Sequence, residues 1–123
     1  MELEMSSLPK TWILDLDGTL VKHNGYKIDG KDSLLPNAKE LLSQIREEDF
    51  VIIVTSRELK YKEITEQFLQ DNNIRYNHII YEAPYGERIL INDNKPSGLK
   101  MAYAIDTDRD NIKPIRIKEN PDL

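Results

Sequence analysis

Two apolar runs with one helical stripe between them constrain this chain more than any other feature. The first, Thr11-Trp12-Ile13-Leu14, is short and β-rich. The second, Phe50-Val51-Ile52-Ile53-Val54, is apolar throughout. An unbroken apolar run suits a parallel strand buried on both faces. Parallel neighbours require a crossover connection, and one lies between the runs. Ala38, Leu41, Leu42 and Ile45 fall at i, i+3, i+4 and i+7, the apolar stripe of a helix. Pro36 suits its first turn, and Glu47-Glu48-Asp49 ends it. Tyr61, Ile64, Phe68 and Leu69 predict a second helix, closed by Asp71-Asn72-Asn73. Two further strands are expected at "HIIY" (78–81) and "RILIND" (88–93), with a Pro/Gly turn between them. Residues 101–106 read equally as strand or helix, and Ile115 and Ile117 alternate beside Pro114 as in an edge strand. The order β-α-β-α-β-β-β predicts an α/β fold: a three-layer α/β/α, Rossmann-like sandwich around a mostly parallel central sheet.

At 123 residues the chain is expected to be one domain spanning 1–123. Residues 1–9 are expected as a flexible N-terminal tail, and residues 20–33 as a flap turning at Asn24-Gly25, a strong hairpin signal. The 17 basic and 22 acidic residues leave a net charge of −5, which argues against a nucleic-acid partner bound mainly through phosphates. The absence of cysteine excludes a disulfide framework and a thiolate metal site. No apolar run approaches the ~20 residues that span a bilayer, and the first residues lack a secretory pattern. A cytoplasmic protein with no membrane partner is expected.

The chemistry collects at the ends of the expected strands. Ligands of open parallel sheets bind beyond the carboxyl ends of the strands. Three of those ends are polar: Asp15-Leu16-Asp17-Gly18-Thr19, Thr55-Ser56-Arg57, and Asn92-Asp93-Asn94-Lys95. Brought together, their carboxylates would repel one another unless a cation sat between them. Mg²⁺ suits such a set, because it takes one or two carboxylates, waters and phosphate oxygens. His23 and His78 stand alone and give zinc no cluster. A carboxylate beside such an ion can attack phosphorus. Each feature also has an ordinary reading: Asp17-Gly18-Thr19 as a turn, Thr55-Ser56 as a helix cap, Lys95, Arg57 and Arg88 as surface charges, and His23 and Tyr26 as packing within the flap.

The order of these residues carries a specific resemblance. "DLDGTL" (15–20) resembles the first motif of the haloacid dehalogenase (HAD) superfamily, "IIVTSR" (52–57) its second, and "ILINDNKPSG" (89–98) its acidic fourth. Most members are Mg²⁺-dependent phosphohydrolases. The resemblance implies a nucleophilic, metal-binding Asp15 and an acid/base Asp17 whose carbonyl also reaches the metal. Gly18 and Thr19 would shape the substrate turn, and Thr55 would bond a phosphoryl oxygen with help from the backbone N–H groups of Ser56 and Arg57. Asp93 would complete the metal site. The cation of the third motif is assigned to Lys95, with Lys62 as second choice. The intervals between motifs leave no room for a cap domain, so the chain resembles the small capless branch. "GERILINDNKPSGL" is also similar to members linked to capsular or surface polysaccharide synthesis. The implied function is hydrolysis of a small phosphorylated metabolite such as a sugar or polyol phosphate, by way of an aspartyl phosphate. An open site leads us to expect a homo-oligomer. The rival readings are a non-catalytic or regulatory binding domain, a phosphotransferase or mutase, and a 3′-phosphatase on nucleic acid.

Overall fold

A computed structural model describes residues 1–123. Its elements are β1 (Glu2–Met5), β2 (Thr11–Asp15), α1 (Gly25–Ile28), α2 (Ala38–Leu42), β3 (Phe50–Val54), α3 (Lys62–Asp71), β4 (His78–Ile80) and β5 (Arg116–Glu119). The fold is a small α/β arrangement with two sheets: β2, β3 and β4 lie in that order, all parallel, and β1 pairs parallel with β5.

The register aligns the carboxyl ends of the three-stranded sheet, because Asp15 lies opposite Val54 and Val54 opposite Ile80. The residues just past those ends therefore share one edge. Leu14, Val51 and Ile53 face the interior, where they meet Leu16, Leu20, Val21, Ala38, Leu41, Leu69, Ile74 and Ile112. Each leucine, isoleucine or valine among them contributes about 1.5–3 kcal/mol on burial. On the opposite face Ile13 and Ile80 stay half exposed, so the sheet is sealed on one side only. Complete burial of the second strand, expected from its unbroken apolar run, is corrected accordingly. Strand alternation sends every second residue to the open face.

The second helix forms as its spacing predicts, after a 3-10 turn at Leu59–Tyr61. Thr65 and Leu69 are its buried residues, while Ile64 is half exposed. Asn73 ends it in a left-handed conformation (φ 56°) that asparagine tolerates. Other expectations need correction. Residues 2–5, expected in a flexible tail, form β1; the terminal amine also donates to the Pro114 carbonyl at 2.7 Å. A partner strand 114 residues away in sequence is invisible to local pattern. Val21 and Leu34 pair antiparallel at the base of the expected flap, but Asn24-Gly25 makes no tight hairpin turn: Asn24 (φ 55°) starts the single turn α1. The helix expected from Pro36 to about Asp49 is reduced to Ala38–Leu42; at its start Asn37 sits at φ 71° and breaks the turn before it. The expected strand at 88–93 carries no regular structure, and Ile89 and Ile91 are exposed. Residues 101–106 form neither strand nor helix. With β5 in a separate sheet, the three-layer, Rossmann-like sandwich is not reproduced; parallel α/β pairing is.

Candidate functional site

The turn after β2 is built around one carbonyl. The backbone N–H groups of Thr19, Leu20 and Val21 all donate to Leu16 O, at 3.0–3.2 Å. Gly18 adopts φ 82°, where a side chain would be strained and its Cβ would lie 3.2 Å from Arg109 Cγ. Asp110 braces the turn from outside: its N–H donates to Gly18 O at 2.8 Å, and its carboxylate accepts from the His23 N–H at 2.7 Å. A tight turn bound on both sides fixes where the two acids point.

Asp15 is the open one. Its side chain is 37% exposed; Thr19 Oγ1 donates to one carboxylate oxygen at 2.9 Å and Arg88 Nη1 to the other at 2.8 Å. Arg88 is 40% exposed, and a pair this accessible contributes little to stability. Its interest is chemical: a cation and a hydroxyl flank a carboxylate that solvent can reach.

Asp17 is the enclosed one, at 16% exposure. It accepts Arg57 Nε at 2.9 Å and Nη2 at 3.0 Å, a side-on fork. The Nη1/Nη2 end of the same guanidinium forks onto Asp32, and Nη1 also donates to Thr65 Oγ1 at 2.9 Å. Arg57's side chain is wholly buried, with the Tyr26 ring stacked 3.9 Å from Cζ. Burial alone would lower the Arg57 pKa, but the hydrogen bonds and charges of Asp32 and Asp17 outweigh it and raise it above its ordinary value. Arginine has five N–H donors, and all are taken within the protein. Its backbone N–H is also used, donating to Thr55 Oγ1 at 3.1 Å. The substrate contact expected of Arg57 therefore has no free donor; its cation holds other groups in place.

Thr55 stands at the same edge, but its hydroxyl is buried and bonded to Arg57. Ser56 makes only a 3.5 Å contact to the Pro84 carbonyl. Asp93 and Lys95 are exposed, and neither side chain forms a hydrogen bond or ion pair. Lys62 lies on the outer surface of α3. No group of three histidine, aspartate or glutamate side chains converges closely enough to hold a metal ion. Asp15 meets Arg88, Asp17 meets Arg57, and Asp93 joins neither. The donors as arranged do not fit an oxygen cage for Mg²⁺.

The structure thus brings together Asp15, Asp17, Gly18, Thr19, Thr55 and Arg57, and leaves Asp93 and Lys95 apart. Sequence reasoning passed over Asp32, Thr65 and Asp110, and read Arg88 as a surface charge and Tyr26 as flap packing. Nothing in "GKDS" (30–33) distinguishes Asp32 from a turn residue, and the partners of Arg57 come from three separate segments.

No protein-family model matches this chain, and no curated protein matches it. Among solved structures, it is similar to a chain in "Structure of the Pnkp1/Rnl/Hen1 RNA repair complex", with 33% sequence identity and a TM-score of 0.52. The similarity covers 69% of this chain and 29% of that one, so the chain spans less than a third of the length it matches. No helix is long and apolar enough to cross a membrane.

Proposed function

We propose that this protein is a HAD-type phosphomonoester hydrolase with Asp15 as nucleophile. The observation that carries the reading is the state of that carboxylate. It stands at the carboxyl end of a parallel strand, open to solvent, with Thr19 and Arg88 on its two oxygens. Arg88, not Lys95, is the cation beside it. One Asp15 oxygen attacks phosphorus, and the bond to the ester oxygen breaks while that oxygen takes a proton from Asp17. Water then attacks the phosphoryl group and gives its proton to Asp17. The Asp15–phosphorus bond breaks, releasing phosphate and restoring both acids. Arg88 would spread negative charge on the transferring group.

The proposed substrate is a small phosphorylated metabolite, with sugar and polyol phosphates first among them. The likeness to a chain of an RNA repair complex favours a second reading, a phosphorylated RNA end. A phosphate-release panel with sugar phosphates, polyol phosphates and a 3′-phosphorylated oligoribonucleotide separates the two. Asp15→Asn should abolish release from every active substrate while the far-UV spectrum stays unchanged. Full activity in that variant refutes the mechanism.

A further inference from the structure

Asp32 is a buried carboxylate with one employment. Its side chain is 3% exposed, and its only hydrogen bonds are the two it accepts from Arg57. Burying a charge pair is a poor way to gain stability, since desolvation offsets most of the attraction. It is an effective way to fix an orientation. Arg57 is held on every available side: Asp32 on its end, Asp17 on its Nε side, Thr65 on Nη1 and Tyr26 on its face. Thr65 is itself anchored, donating to the Tyr61 carbonyl at 2.7 Å. The guanidinium plane cannot turn without breaking one of these contacts, so the edge it offers to Asp17 has one direction.

We infer that Asp32, acting through Arg57, is a positioning residue that aims the Asp17 carboxyl group at the ester's leaving oxygen. This rests on the hydrolase reading above. Tyr26 and Asp32 both belong to residues 20–33, so this segment helps to set the direction of an acid that lies outside it. Asp32 never touches substrate. Its effect falls on the two steps in which Asp17 moves a proton, to the leaving oxygen and then from water, and kcat/KM reports the first of these alone.

That separation gives the test. A good leaving group departs without a proton, and a poor one needs it. General acid catalysis is worth about 10²–10⁴-fold when the group is well placed. Asp32→Asn keeps the shape and removes one fork's charge. In this variant kcat/KM for phenyl phosphate should fall by about tenfold or more. Its kcat/KM for dinitrophenyl phosphate should stay within about twofold. Should Asp32→Asn fail to fold, Arg57→Lys, which keeps the charge but cannot fork, should show the same bias toward the activated ester. Equal losses on both esters, or none on either, overturn the inference alone, provided that Asp17→Asn shows the bias. If wild-type protein releases phosphate from no ester, the hydrolase reading falls and this inference with it.

Discussion

Replacing Arg57 by methionine tests the core of the site by a route independent of catalysis. Methionine fills much of the volume of the arginine stem but supplies no donor. The substitution removes five side-chain hydrogen bonds and strands two carboxylates, of Asp17 at 16% and Asp32 at 3% exposure. Breaking a buried pair from one side costs about 3–5 kcal/mol. Tyr26 also loses its cation, worth about 2 kcal/mol in a desolvated stack. Partial rehydration of Asp17 works in the other direction, so the net expectation is about 3–5 kcal/mol. A domain this size has only about 5–15 kcal/mol in all. Urea denaturation followed by circular dichroism should show the midpoint falling sharply, or the cooperative transition disappearing. Pairing the change with Asp32→Asn removes one stranded charge, and the double variant should recover about 1–3 kcal/mol relative to additivity. A loss below about 1 kcal/mol in Arg57→Met would show that water reaches the cluster freely, and the reasoning from burial would fail.

Two further outcomes follow from other parts of the molecule. Asp49 is buried and accepts from Lys10 N at 2.9 Å, Trp12 Nε1 at 3.0 Å and Arg46 N at 3.0 Å. Burial alone would raise its pKa, but the backbone hydrogen bonds from Lys10 and Arg46, with Trp12 and the Arg46 charge, bring it below the ordinary aspartate value. A depressed carboxylate stabilises the fold above its unfolded pKa, and that contribution is lost as pH falls through the folded one. The stability difference between wild type and Asp49→Asn should therefore be full near pH 7 and shrink below about pH 4; a pH-independent difference would contradict it. At the nucleophile, Arg88 stands 2.8 Å from Asp15, and Arg88→Ala should lower kcat for phosphate release by about tenfold or more; a rate within about twofold of wild type would remove Arg88 from the mechanism.

The sequence by itself determined what is local. The parallel strands β2 and β3, the helix at Lys62–Asp71 and the acid-rich turn at 15–19 follow from periodicity, strand composition and turn chemistry. These act over a few residues and so can be read from a few residues. Tertiary structure alone decided the rest. Only folding carries Asp32 and Thr65 to Arg57, Arg88 to Asp15, Asp110 to Gly18, and Glu2–Met5 to Arg116–Glu119. The reason is that a charge on a chain carries no information about its partner. Whether Arg57 is a solvated side chain or a buried clamp depends on which segments exclude water from it, and those segments meet only when the core beneath them closes.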